Sequence, residues 1–194
     1  MIVNIFLFDD FETMDAFGPA ELFGKLPEHI YLRYISKNGG LISSTQGVKV
    51  WTEPLNPIEI EDILVVPGGK GAKRLFYLDT DLLPELKKAV DNADYCISIA
   101  EGTALLTQTG VLYHRTVADY GSDENWKRMF TTGVQRVTGV KWVFDGKFYS
   151  CSSTMNSLYG VLGLIADCLD LDEAQKAADA LGLEWDELDE EIVK

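Results

Sequence analysis

The segment "CISIA" at 96–100 is a strand-like apolar run that passes straight into helix-forming residues beginning at Glu101 and Gly102. Enzymes present nucleophiles on such sharp strand-to-helix turns, because a side chain there stands clear of the sheet and faces main-chain donors. The residue on this turn is Ala100, which has no nucleophilic atom. Two kinds of chemistry remain around it. The first is main-chain donation. Gly68 and Gly69 in "VVPGG" let the backbone approach a ligand closely, and their N–H groups can join one from the head of the helix after Ala100. The second is carboxylate chemistry, from Glu12, Asp15, Glu101 and Asp119. Clustered acids accept hydrogen bonds from a ligand, trade protons as an acid–base pair, or receive an amine or a hard cation. Each acid also has a plain structural reading. Glu12 and Glu101 suit helix starts, Asp15 a helix face, and Asp119 the N-cap of "GSDENW". No two of them have a diagnostic metal-loop spacing, so neither a metal site nor a cofactor is expected.

These residues need strands to deliver them to one edge. "IVNIFLF" (2–8) and "ILVV" (63–66) are continuous apolar runs of the kind that central parallel strands show. "HIYLRYIS" (29–36) alternates like a strand, and "LISS" with "VKVW" reads as a hairpin after Gly39-Gly40. "YCISIA", "RTVADY", "VQRVTG", "VKWVFDG" and "KFYSCSS" are further strands, with a turn at Asp145-Gly146. Helices are expected after residue 9, with a kink or fresh start at Pro19, and over "LLPELKKAVDNA", "GTALLTQTG", "DENWKRMF" and "MNSLYGVLGLIADCLD". Trp126 and Phe130, four apart, are core or interface residues on this reading. The alternation predicts an α/β three-layer sandwich with a mostly parallel central sheet. It is expected to form a single domain over 1–194, with an acidic helical extension from about 170. Ligands of such sheets bind beyond the carboxyl ends of the strands, where the acids and glycines above fall.

Composition removes several partners. The chain of 194 residues carries 17 Lys and Arg against 31 Asp and Glu, a formal charge of −14. Such a surface repels phosphate backbones and anionic lipid, so neither nucleic acid nor a membrane is expected as a partner. No signal peptide or membrane-span pattern is read, and Cys96, Cys151 and Cys168 form no disulfide framework or metal spacing. They fit buried free thiols in a reducing cytoplasm.

Taken in order, "LFDDFETMDAFGPAELF", "ILVVPGG", "SIAEGTALLTQTGVLYHRTVADY" and "WVFDGKFYSCSSTMNSLYGVLGLIAD" resemble the ThiJ/PfpI family. The likeness is carried by Phe11, Asp15, Gly18, Pro19, Glu21 and Phe23, by Pro67-Gly68-Gly69, by Gly110, Leu112, Arg115 and Val117, and by Asp145, Gly146, Lys147 and, loosely, Ser150. That family includes protease-like and amidase-like proteins, isocyanide hydratases and ligand domains of AraC-type regulators. The resemblance implies a flavodoxin-like fold, a homodimer, and a cysteine on the strand-to-helix turn beside an acid and a histidine. By position the cysteine falls on Ala100, the acid on Glu12 or Asp15, and the histidine on Asp119. Cys96 lies four residues before the turn, roughly 13 Å away at strand rise. His29 and His114 fall elsewhere, and nothing places Cys151 at the turn. Ser153, where the family has glycine, joins Asp119 in pointing to natural divergence. Three functions are therefore weighed. One is a small-molecule binder at a degenerate elbow. Another is a hydratase-like or hydrolase-like enzyme using Glu12 and Glu101. The third is a ligand sensor acting with a partner regulator.

Overall fold

The computed structural model describes residues 1–79, 81–121, 124–130 and 132–186. Its centre is an eight-stranded sheet built on β1 (Ile2–Phe6), which pairs in parallel with β2 (Tyr31–Ser36) on one side and β5 (Ile63–Val66) on the other. Beyond β2 lie β4 (Lys49–Pro54) and the edge strand β3 (Gly40–Ser43), the expected hairpin. Beyond β5 lie β6 (Tyr95–Ile99), β10 (Phe148–Cys151) and the antiparallel edge strand β9 (Trp142–Asp145). Every residue of β5 and β10 is buried, which is why β5 is an unbroken apolar run and why the Ser150 hydroxyl of β10 accepts a hydrogen bond from the Ala118 N–H. Helices flank the sheet. The helices α1 (Thr13–Phe23), α6 (Asn156–Cys168) and α7 (Leu171–Ala180) pack together. A second group holds α2 (Lys70–Leu78), α3 (Leu82–Asn92), α4 (Glu101–Gln108) and α5 (Glu124–Phe130). This is the α/β three-layer architecture with a mostly parallel sheet. Among the described residues no helix is long and apolar enough to cross a membrane.

Three sequence expectations need correction. The first helix runs unbroken through Pro19. Proline removes one N–H but does not break α1, which is tied down by packing on α6. The helix α2 follows Pro67-Gly68-Gly69 directly, where no helix is expected from the sequence. Glycine is needed at Gly71 because a Cβ would run into the carbonyl oxygen of Asp9. The "RTVADY" strand is β7 (Thr116–Ala118), which leaves the main sheet and pairs in parallel with β8 (Gln135–Val137). The side chains of Trp126 and Phe130, and the tail from 187, lie outside the described residues.

The strands β1, β5, β6 and β10 are adjacent and parallel, and their carboxyl ends are nearly level. Ile5 pairs with Val65, Val65 with Ile97, and Ile99 with Cys151. From β1 the chain goes outward to β2, whereas β5 begins the other half of the sheet. The β1–β5 boundary is thus the topological switch point, where two connections part and leave a crevice. Four loops open onto it, at residues 7–12, 67–69, 100 and 152–154. Gly102 allows α4 to start against β5, since a Cβ there would collide with the Val66 carbonyl oxygen. Gly102→Ala should therefore cost about 2–3 kcal/mol in a denaturant titration, the usual size of an overpacked core site. A loss below about 0.5 kcal/mol would show that the strand-to-helix packing is looser than described.

Candidate active site and its carboxylates

Ala100 sits between β6 and α4 with φ 46° and ψ −119°, a conformation that side chains other than glycine rarely adopt. It is held on one side by its own N–H, which donates to the Cys151 carbonyl at 3.1 Å. On the other side Ala104 and the buried Tyr120 pack against it. Burial, reinforced by the carboxylates of Glu101 and Asp119, pushes the Tyr120 phenol up and keeps it un-ionised. The sharp turn foreseen in the sequence is thus present with its strain.

The glycines after β5 have close-range reasons. Gly69 has φ 125°, and a Cβ on it would lie 2.5 Å from the Asp10 oxygen and 2.6 Å from the Glu12 nitrogen. The Gly68 carbonyl accepts from the Glu12 N–H at 2.9 Å, tying the 67–69 loop to the start of α1. The N–H groups of both glycines face inward, as expected for an anion cradle. They are already used. The Gly68 N–H donates to Asp15 Oδ2 at 3.0 Å, and the Gly69 N–H makes a longer contact of 3.4 Å with Glu101 Oε2. Both donors are turned toward the chain's own carboxylates.

Asp15 belongs to the first turn of α1 but does not act as a surface helix acid. It is 1 % exposed. Burial is the main reason its carboxyl is pushed up from 3.8 to about 6, with Glu12 and Glu101 adding to the rise. The Thr154 hydroxyl and the Gly68 N–H partly counter this. Oδ1 is nonetheless left without a partner of good hydrogen-bond geometry. Glu12 is the N-cap residue of α1, yet its side chain caps nothing; Oε1 instead accepts from Gln46 Nε2 at 2.6 Å.

Glu12, Asp15, Gly69, Ala100 and Glu101 line one cavity of about 360 Å³. Its remaining wall comes from Lys70 and Lys73 on α2, Gly121, and Ser152, Ser153 and Thr154 after β10. Sequence reasoning overlooked the two lysines as site residues, although they follow directly on Pro67-Gly68-Gly69. It also passed over Ser152 and Thr154, whose signal was the end of an apolar strand. Gly68 sits behind the wall, where its N–H fixes Asp15. Asp119 lies elsewhere. Because β7 leaves the main sheet, Asp119 pairs with Lys127 at 3.0 Å and Arg136 at 3.2 Å and is not on the cavity wall.

No cysteine lines the cavity among the described residues. Burial pushes the Cys96 thiol up to about 12 and the Cys151 thiol higher still. Cys151 is packed where a Cβ on Gly160 would touch its sulfur. Cys168, at the end of α6, is pushed up to about 12, first by burial and then by Asp167, Asp62 and Asp94. The two histidines are also outside the cavity. Among the described residues no group of three or more His, Cys, Asp or Glu side chains is arranged to hold a metal ion.

A model of the DJ-1/PfpI family matches residues 1–159. Comparison with curated proteins gives no match. Among solved structures, a cysteine-to-alanine variant of a DJ-1 superfamily protein from Salmonella typhimurium superposes with a TM-score of 0.81 at 20% identity, covering 95% of this chain and 99% of that one. An AraC family transcriptional regulator from Pseudomonas putida gives 0.79 at 17% identity, covering 93% and 98%. DJ-1beta of Drosophila melanogaster gives 0.76 at 17% identity, covering 95% and 98%. At these identities the likenesses speak for the fold.

Two outcomes follow from the site geometry. Ala100→Gly should raise stability by about 1 kcal/mol, since released strain of roughly 1–3 kcal/mol outweighs glycine's added unfolded-state entropy. A clear loss in thermal or urea unfolding would mean that the turn is not strained. For Asp15, the folded state holds the proton more tightly than the unfolded chain. Its favourable contribution is therefore complete below about pH 4 and lost as pH rises through about 6, a difference of roughly 3 kcal/mol. Asp15→Asn should stabilise the protein by about 2–3 kcal/mol at pH 8 and by little at pH 4. An equal effect at both pH values would contradict the raised pKa.

Proposed function

The chain belongs to the DJ-1/PfpI family, and from that premise we propose that it is a binding member, holding a small molecule at the elbow without cysteine chemistry. One observation carries this reading: Ala100 keeps the strained turn of a nucleophile while offering only a methyl group. Without a lone pair at that position no covalent adduct forms there. The three thiols do not replace it. Each is shifted toward the un-ionised form, which is neither a nucleophile nor a metal ligand. The pocket itself is retained and lined with hydrogen-bonding groups, which supports binding. A homodimer belongs to the same proposal, on the family resemblance.

A second reading rests on Asp15. A carboxyl held near 6 beside two other acids is suited to proton transfer at neutral pH, so a carboxylate-based hydration or hydrolysis is the competing function. In that case Asp15 joins Glu12 and Glu101 as the working group.

Thiol labelling separates both readings from cysteine catalysis. With iodoacetamide at neutral pH the native protein should show no thiol faster than free cysteine, and all three should react once it is denatured. One thiol that reacts rapidly in the native protein would overturn the proposal.

A further inference from the structure

The hydrogen bonds already spent around the cavity define what a ligand must supply. On the donor side, the Gly68 N–H is taken by Asp15 Oδ2 and the Gly69 N–H faces Glu101 Oε2. An anion entering the cavity finds these two main-chain donors facing carboxylates and meets three acids against the two lysines of α2. On the acceptor side there is unused capacity. Asp15 Oδ1 is buried and has no partner, although the carboxyl lines the cavity. An acceptor buried without a partner carries a desolvation cost that a ligand donor can remove. Glu12 Oε2 and Glu101 Oε1 make no hydrogen bond among the described residues, and both side chains are on the same wall.

We propose that this cavity takes a small organic monocation bearing N–H groups, a primary ammonium or a guanidinium, with one N–H donating to Asp15 Oδ1. The inference rests on the binding reading above and adds the class of ligand to it. The charge follows from the wall. Asp15 lies deepest, Glu12 and Glu101 are half-buried beside it, and a charge-assisted hydrogen bond between ammonium and carboxylate is stronger than a neutral one. The limit of one charge follows from α2. Lys70, exposed, and Lys73, half-buried, line the same cavity, so a second positive centre on the ligand would meet like charge. The requirement for N–H groups follows from Asp15. A quaternary ammonium carries the charge but leaves Oδ1 unsatisfied. The volume of about 360 Å³ lies at the lower end of small-molecule pockets, with room for a small organic cation.

The test is an amide NMR titration of the full chain at slightly alkaline pH and low salt, following Gly68, Gly69 and Ala100. The probes are methylammonium, guanidinium, tetramethylammonium and acetate. Saturable shifts of these amides are expected with methylammonium or guanidinium, and none with tetramethylammonium or acetate. Asp15→Asn should weaken that binding about tenfold or more. The Gly68 N–H keeps the amide oxygen toward itself and so turns the Asn –NH₂ into the cavity, donor against donor. Glu12→Gln, at the rim, should weaken it less, and it provides a second variant if Asp15→Asn is poorly folded. Tetramethylammonium binding as well as methylammonium would overturn the role of Asp15 Oδ1. Saturation by acetate with silent cations would overturn the ligand class while leaving a small-molecule pocket in place. Silence with every probe would overturn the ligand class and the binding reading together.

Discussion

Gly68 and Gly69 leave β5 with their main-chain N–H groups turned toward two carboxylates of the same chain, and the rest of the site is arranged around that contact. The glycines are there because the Asp10–Glu12 backbone passes too close for a side chain at 69. Asp15 is buried because its oxygen is held by Gly68, and Glu101 turns back from α4 toward Gly69. The consequence is a reversal of polarity. Two main-chain donors face built-in carboxylates, and Asp15, Glu12 and Glu101 present acceptors to the cavity beside the lysines of α2 and the hydroxyls after β10. Burying Asp15 costs stability at neutral pH, which is reason to look for its use in binding or proton transfer and not in holding the fold together.

The elbow tells a related story. Strain at Ala100 persists because four parallel strands and the start of α4 over-determine the turn: Ala100 is tied to β10 through Cys151, and α4 is pressed on β5 through Gly102. Such a turn holds its shape whatever side chain stands on it, here a methyl group. The sharp geometry is a property of the sheet, while nucleophilicity is a property of one atom. That separation is how a chain of this family can keep the form of the site while changing its chemistry.

Much of this was legible in the sequence, for physical reasons. Strands β1 and β5 are buried on both faces and therefore read as unbroken apolar runs. The β3–β4 hairpin announces itself through Gly39-Gly40, and Ala100 through the abrupt passage from strand to helix. What was not legible depends on tertiary pairing. Nothing in "RTVADY" says that β7 pairs with β8 and so carries Asp119 to Lys127 and Arg136. Nothing in "KGAK" says that Gly71 sits inside a helix, because the reason is a carbonyl of Asp9 distant in sequence. Lys70 and Lys73 were missed with that helix. Asp15 resembled an ordinary first-turn acid, since helix periodicity cannot tell a dipole-facing carboxylate from one drawn inward by a glycine N–H.

The most direct measurement is the pH titration of the Gly68 amide resonance in parallel with the Asp15 side-chain carboxyl carbon. If the glycine donor is held by that carboxylate, both signals move together with a midpoint near 6. A carboxyl midpoint near the ordinary aspartate value of about 3.9, or a Gly68 amide indifferent to it, would contradict the account.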